Sequence, residues 1–334
     1  MPLRRLGNTG LKVSTLCFGT MTFGSQWKNI GTSTQGEANA MVDRCLDAGI
    51  NFFDTADVYS NGESEQALGK ALGKRRKDVI VATKVRGRMS DAPNDLGLSR
   101  HHILNSVDTS LRRLGTDWID LYQMHCWDAL TPLEETLRAL DDCVRWGKVR
   151  YIGASNFAGW QLMKALAISG RHGLERFVTL QPLYNLLTRD LENELVPLCQ
   201  DQGLGILPWS PLAGGFLSGK YRRGKKPPEG ARRTLAVEQF LTFDEERGFD
   251  VVDTLADIAG SHDGTVAQGA LNWLLAKPYV TSVIIGARTI EQLEDNLGTL
   301  KWSLTPEEVD RLDTMTPPPR VYPYWFIEMS HERR

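Results

Sequence analysis

Residues able to move or hold a proton recur at one kind of place in this chain. A short apolar run, Ile50 to Phe53, ends in the carboxylate Asp54, and a phenol, Tyr59, follows five residues later. A second apolar run from Val79 ends in a lone cation, Lys84, and a third, from Ile119, ends in His125. A carboxylate and a phenol at this spacing read as an acid and the group that tunes it. Each residue also has a plainer reading. An Asp after a strand often caps a helix, and a buried Tyr is usually a core residue with a satisfied hydroxyl. Likewise, Lys84 could be solvated and His125 could belong to a core. What sets the four apart is that each stands at or near the end of a separate apolar run.

The elements that must position them alternate along the chain. Residues 3 to 14 hold two strand-like pieces around the turn signal Gly7-Asn8-Thr9-Gly10, which predicts a hairpin plugging one end of the body. Thr15 to Phe18 is the first apolar run of the main body, and Thr34-Gln35-Gly36-Glu37 opens a helix with a capping box. Further strands are predicted over Ile50–Asp54, Val79–Lys84, Ile119–His125, Val149–Ser155, Val178–Gln181, Gly205–Pro208 and Val280–Ile285. Helices are expected from near Ser64, from Ser99, over about 157–169, from about Leu191 and from Thr289. Another is expected at Thr131-Pro132-Leu133-Glu134, read as a capping box with Pro at the first helical position; its face is Leu133, Leu137, Leu140 and Val144.

Eight strand–helix units of this kind predict a parallel sheet closed into a (β/α)8 barrel, with the N-terminal hairpin and an extra C-terminal helix opened by Thr305-Pro306-Glu307-Glu308. A doubly wound sheet is the competitor, but a Gly-x-Gly-x-x-Gly fingerprint after a strand is missing. Residues 1–334 read as one domain. In a barrel, Asp54, Lys84, His125, Asn156, Gln181, Trp209 and Gly286, each just after a different predicted strand, share one face. Residues 209 to about 247 show too little apolar periodicity for a packed element and read as a functional loop. The tail from Pro317 carries Tyr322, Tyr324, Trp325 and Phe326.

Composition narrows the partners. With 39 Lys and Arg scattered against 41 acids and a net charge of −2, nothing points to nucleic acid. The densest basic run, Lys74-Arg75-Arg76-Lys77, reads as a solvated helix end. Five cysteines without Cys-x-x-Cys spacing predict reduced thiols, and Cys126 beside His125 reads as a small buried hydrophobe. No segment has signal-peptide or membrane-span character, so a cytoplasmic protein without a membrane partner is expected.

The chain resembles the aldo-keto reductases through Asn51-Phe52-Phe53-Asp54-Thr55-Ala56 with Tyr59, Gly62-Glu63-Ser64-Glu65 with Leu68-Gly69, and Thr83-Lys84. The likeness continues in Asp120-Leu121-Tyr122-Gln123 with His125, Gly153-Ala154-Ser155-Asn156-Phe157, Gln181-Pro182 with Tyr184-Asn185, and Gly286-Ala287-Arg288. The motifs run in the family's order over residues 3 to about 315, and the family's catalytic tetrad falls on Asp54, Tyr59, Lys84 and His125. The resemblance implies a nicotinamide dinucleotide, NADP more than NAD, across the barrel mouth. By the same resemblance Ser155, Asn156 and Gln181 hold the carboxamide and Trp209 stacks on the nicotinamide. Ser210, Leu212 and Lys220 lie along the pyrophosphate; Gly286, Arg288, Gln292 and Asn296 form the adenosine end. Gly19, Thr20, Met21, Asp54, Pro211, Gly214 and Asp295 complete the implied cofactor set. The best-known branch of the family has Lys at the position of Gly286 and Arg at that of Gln292, both used on the 2'-phosphate, so here Arg288 is the expected replacement and NAD remains open.

The implied chemistry suits these side chains. A carbonyl that accepts hydride gains negative charge on oxygen, Tyr59 can donate the proton, a cation such as Lys84 stabilises a phenolate, and Asp54 keeps Lys84 charged. His125 would orient the carbonyl oxygen. Trp27, Trp127, Tyr322 and Trp325 are the candidates for a substrate wall suited to an apolar or aromatic carbonyl or alcohol. A metal-dependent barrel hydrolase is disfavoured because Cys17-Phe18-Gly19-Thr20 offers no His-x-His pair. The remaining rival is a cofactor-binding, redox-sensing module resembling potassium-channel beta subunits. The lack of an N-terminal interaction segment favours the enzyme.

Overall fold

The computed structural model describes residues 1–27, 30, 33–226 and 242–330. Strands β1 (Leu3–Arg5) and β2 (Lys12–Ser14) form the expected antiparallel hairpin. The other eight strands are β3 (Leu16–Gly19), β4 (Phe52–Asp54), β5 (Ile80–Val85), β6 (Ile119–Met124), β7 (Val149–Ser155), β8 (Phe177–Gln181), β9 (Gly205–Ile206) and β10 (Val283–Ile285). They lie in the order β10-β3-β4-β5-β6-β7-β8-β9, and every pair is parallel. The ring closes between the two ends of this order, β9 and the stretch leading into β10, where Ile206 bridges Val280 and the Thr281 amide donates to the Ile206 carbonyl at 2.9 Å. The (β/α)8 barrel expected from the alternation is therefore the fold.

Inside the ring the side chains form layers, because residues in register on parallel strands point the same way. The lower layer is apolar: Cys17, Phe52, Ala82, Leu121, Leu207 and Ile284 pack with Leu6 and Val13 of the hairpin, which plugs that end. One pleat higher the interior turns polar, with Asp54, Lys84, Gln123 and Gln181 all buried. The period of two along each strand carries this switch, since Asp54, Lys84 and Gln123 each stand two residues after the apolar Phe52, Ala82 and Leu121.

The helices cover the outside. They are α1 (Gln35–Asp47), α2 (Glu63–Leu72), α3 (Arg100–Leu114), α4 (Leu133–Arg145), α5 (Gly159–His172), α6 (Leu195–Gln202), α7 (Glu245–Ser261), α8 (Val266–Leu275), α9 (Ile290–Gly298), α10 (Pro306–Met315) and α11 (Tyr324–Met329). Capping boxes open α1 at Thr34 and α10 at Thr305, and Ser99 and Thr289 cap α3 and α9. None of these helices is long and apolar enough to cross a membrane. The five cysteines are free thiols, all buried except the partly exposed Cys126.

Two local expectations fail. The helix α4 starts one residue late, with Pro132 as a cap that has no side-chain bond, and the Thr131 hydroxyl donates to Asp128 at 2.7 Å. A capping hydroxyl acts through its oxygen as an acceptor, and no first-turn amide among the described residues bonds to Thr131. The second failure is in the long segment after β9, where residues 213–218 form a 3-10 turn and Ala213, Phe216, Leu217 and Tyr221 are buried. Phe216 sits among Tyr221, Phe243 and Phe249 with ring centroids 5.0–5.6 Å apart, a packed aromatic cluster with no sequence period. Residues 227–241 of that segment lie outside the described residues, and α7 and α8 fill the stretch from there to β10.

Packing also dictates a glycine. Alanine would ordinarily strengthen a helix interior by about 1 kcal/mol over glycine, yet a Cβ on Gly69 of α2 would stand 2.4 Å from the Leu114 carbonyl oxygen at the end of α3. Backbone cannot swing aside as a side chain can, so overpacking should win, and Gly69→Ala is expected to destabilise the fold by about 1–3 kcal/mol. Urea unfolding at constant slope measures this; an unchanged or raised midpoint would show that α2 and α3 can separate freely.

Candidate active site

Lys84 occupies the polar layer with no solvent exposure, and its three N–H directions meet three acceptors. These are Asp54 Oδ1 at 2.5 Å, the Thr55 carbonyl at 2.8 Å and the Tyr59 hydroxyl at 3.2 Å. Burial alone would lower the pKa of this ammonium, but Asp54 and the Tyr59 oxygen outweigh burial and hold it raised. The second Asp54 oxygen accepts from the side-chain amides of Gln181 at 2.8 Å and Gln123 at 3.1 Å. Gln123, not singled out as a site residue from sequence, thus helps fix the carboxylate.

Tyr59 stands where the chain leaves β4. It begins a turn in which Ser60, Asn61 and Gly62 have φ of 45°, 54° and 91°, a left-handed run that is costly for its two non-glycine members. Its supports lie below and beside it. Ser64 Oγ lies 2.8 Å from Thr20 Oγ1 and 3.0 Å from Thr55 Oγ1, and Glu63 accepts from the Ser25 amide at 2.6 Å. Beneath Gly62, whose missing Cβ would fall 2.3 Å from the Arg113 guanidinium carbon, Arg113 donates to the buried Glu65 at 3.3 Å. Glu65 also accepts from Thr83 at 2.6 Å. Burial, followed by repulsion from Glu65, pushes the Asp57 carboxyl well up. These supports escaped the sequence reading; the only signal was the acid-rich run Glu63-Ser64-Glu65.

The His125 ring meets Tyr59 edge-on, with centroids 5.8 Å apart, so phenol and imidazole border one point at the barrel mouth. Burial, then the charges of Lys84 and Arg86, push its pKa down to about 3. The Asn156 amide donates to the His125 carbonyl at 2.8 Å and accepts from Trp209 Nε1 at 3.1 Å, while Ser155 Oγ donates to the Gln181 carbonyl at 2.8 Å. His125, Ser155, Asn156, Gln181 and Trp209 therefore form one connected rim. Gly19 and Thr20 are buried, with the Thr20 amide on the Asp54 carbonyl at 2.8 Å, and Met21 is half-buried beside them.

From Trp209 a cleft of about 310 Å³ runs outward between the 3-10 turn and α9. Ser210, Pro211, Leu212, Gly214 and Lys220 line one side; Gly286, Arg288, Gln292, Asp295 and Asn296 line the other. All ten were expected from sequence to touch a cofactor. Thr22, Gly215, Ser218, Ala267, Ile285 and Ala287, not foreseen, complete the wall. A Cβ at Gly286 would meet nothing within 4 Å, so its face is open to a ligand. The lining is built: Asn296 donates to the Gly286 carbonyl at 3.2 Å, Gln292 accepts from the Arg288 amide at 2.9 Å, and Asp295 accepts from Thr265 and Gln268. Two cations on opposite sides, with amides and a carboxylate at the far end, fit an elongated ligand with phosphates in its middle and at one end.

Of the candidate substrate-wall residues, Trp27 packs edge-on to Tyr59 at 5.6 Å. Trp127 packs against Phe157 and Trp160. Tyr322 is 75% exposed and Trp325 36%, and they contact each other in a tail held by Asn193 on the Pro319 carbonyl.

A closed (β/α)8 barrel with Asp, Tyr, Lys and His converging beside such a cleft is the arrangement of the aldo/keto reductase family. The model of that family matches residues 15–316, and the chain belongs to it. The chain is 41% identical over 325 residues to the uncharacterized oxidoreductase YrpG of Bacillus subtilis, covering 94% of this chain and 95% of that one. It is 34% identical to versiconal hemiacetal acetate reductase of Aspergillus parasiticus, covering 97% and 99%. It is also 39% identical to a probable voltage-gated potassium channel subunit beta of rice, covering 94% and 96%. The family is one of oxidoreductases that act on small carbonyl compounds with nicotinamide cofactors.

The lowered pKa of His125 makes its charge state testable. An unfolded histidine takes its proton near pH 6.5 and the folded one near 3, so the unfolded state binds more protons in between, and this group's contribution to stability falls as pH drops through that window. The imidazole should accordingly be neutral at pH 5. Nitrogen-detected NMR of histidine-labelled protein, assigned with His125→Gln, checks this; a titration midpoint above 6 would mean the ring is solvated.

Proposed function

We propose that the chain is a cytoplasmic, single-domain carbonyl reductase that takes NADPH in preference to NADH and also catalyses the reverse oxidation of alcohols. The observation that carries this reading is the Lys84 ammonium, buried and bonded at once to Asp54 and to the Tyr59 hydroxyl. The nicotinamide, when bound, supplies the hydride that no side chain can carry.

The residues then divide the work. Tyr59 gives its proton to the carbonyl oxygen as charge gathers there, and Lys84 stabilises the charge left on the phenol oxygen. Asp54, fixed by Gln123 and Gln181, holds Lys84 in place. His125, neutral, offers a ring nitrogen to the same carbonyl oxygen and orients it. Ser155, Asn156 and Gln181 border the position of the nicotinamide carboxamide, and Trp209 offers the ring to stack on it. Lys220 and Arg288 hold phosphate oxygens, and Trp27 provides the nearest wall for an aromatic or apolar substrate, with Trp127, Tyr322 and Trp325 further out. The competing reading, a cofactor-binding regulatory module, draws on the similarity to the rice protein named as a potassium channel subunit. Steady-state turnover of simple aldehydes separates the two.

Tyr59→Phe deletes the donor and almost no volume, so turnover should fall by about 10²-fold or more while NADPH still quenches tryptophan fluorescence with its original affinity. Turnover within tenfold of the wild type would remove Tyr59 from the donor role. At the other end of the cleft, a charge-assisted bond to the 2'-phosphate is worth about 1.5–3 kcal/mol, or one to two decades. Arg288→Ala should weaken NADPH by that factor and NADH much less. If the ratio of the two affinities stays constant in fluorescence titrations, a different side chain, Lys220 first, reads the phosphate.

A further inference from the structure

Arg86 follows β5, two residues beyond Lys84 at the same strand end. Its backbone has φ of 142°, a conformation that side-chain-bearing residues rarely adopt and that persists where the surroundings enforce it. The enforcement is visible on both sides. The Gly97 amide donates to the Arg86 carbonyl at 3.0 Å, and at Gly87 a Cβ would stand 2.8 Å from Val58, the residue before Tyr59. The peptide carrying Arg86 is therefore clamped between the Tyr59 turn and the loop after β5.

The side chain is anomalous among the protein's buried and half-buried arginines. Arg76 pairs with Asp120 at 2.8 Å, Arg113 with Glu65 at 3.3 Å, and Arg189 with Glu192 at 2.7 Å and Asp313 at 2.9 Å. The half-buried Arg86 has no ion pair or side-chain hydrogen bond among the described residues, and its Nε is buried without an acceptor. The neighbouring carboxylate, Asp128, is already committed to the amides of Leu98 and Leu130 and the Thr131 hydroxyl. The His125 amide donates to the Val85 carbonyl at 3.0 Å, which sets the Arg86 peptide beside His125 at the mouth. A half-buried guanidinium beside the reaction centre that makes no ion pair among the described residues leaves donors for an anion on the ligand.

We infer that Arg86 binds an anionic group of the substrate, so that the preferred substrates are aldehydes or ketones bearing a carboxylate or similar oxyanion. This rests on the carbonyl-reductase reading above and specifies its substrate class. No covalent step is added: the guanidinium donates hydrogen bonds and fixes the orientation in which the carbonyl meets Tyr59 and His125.

The test compares kcat/KM for 2-carboxybenzaldehyde with that for benzaldehyde, and for succinic semialdehyde with that for butanal, in wild type, Arg86→Met and Arg86→Lys. Wild type should favour the acidic member of each pair. Arg86→Met should lower that preference by about 10- to 100-fold, mainly through KM, with neutral aldehydes within about threefold, and Arg86→Lys should restore part of it. An unchanged preference overturns the inference; so does an equal loss for acidic and neutral substrates, which would mark Arg86 as serving the fold or His125. Benzoate binding, followed by tryptophan fluorescence, separates this inference from the reductase reading. Benzoate bound about tenfold or more weakly by Arg86→Met supports the anion site even if no aldehyde is turned over. Equal binding by both proteins overturns it.

Discussion

A buried ammonium that must fill all three of its hydrogen bonds is the constraint on which the site depends. Removing Lys84 from water costs several kcal/mol unless a counter-charge and full hydrogen bonding are supplied inside. Asp54 supplies the charge, the Thr55 carbonyl takes the second donor, and the Tyr59 hydroxyl takes the third. The phenol is thus part of the solution to a burial problem, and its position is as fixed as that of the salt bridge. Asp54 is treated likewise, with two glutamine amides on its second oxygen, so neither partner keeps an unmet charge. The apolar layer beneath, closed by Leu6 and Val13 of the hairpin, keeps water from reaching the pair from below.

Rigidity around this pair is bought with local strain. The left-handed turn through Ser60, Asn61 and Gly62 and the unusual backbone at Arg86 flank the mouth on neighbouring strand ends. Both are held by tertiary contacts: Arg113 and the Ser64 hydroxyl cluster under the first, Gly97 and Val58 around the second. Strained segments survive when packing over-determines them, and here both serve to aim side chains at one point. The long cleft beyond Trp209 is less strained on its α9 side, where side chains cap and brace one another.

Much of this was legible in the residues because it rests on local rules. The boxes at Thr34 and Thr305 need only four consecutive residues to be correct, and the apolar runs mark their strands to within a few residues. Eight such runs alternating with helices leave few ways to cover a parallel sheet, so the barrel and the shared face of its strand ends follow from the pattern. Thr131 shows the limit of such rules: its hydroxyl turns to Asp128 and the helix starts at Leu133 behind Pro132. Phe216 shows another, since an aromatic cluster assembled from residues 216, 221, 243 and 249 has no period to read.

Sequence by itself thus determined the kinds of groups brought to the barrel mouth and the order in which the strands deliver them, because strand and helix periods are properties of consecutive residues. Only the tertiary structure decided how donors and acceptors are shared among them. That Gln181 and Gln123 serve Asp54, that Asn156 links His125 to Trp209, and that Arg86 makes no ion pair among the described residues depends on distances between strands far apart in the chain. The same holds for charge: burial and neighbouring cations keep His125 neutral, and Asp54 keeps Lys84 protonated. Desolvation and Coulomb interaction act through space, so they exist for these groups only once the barrel has closed.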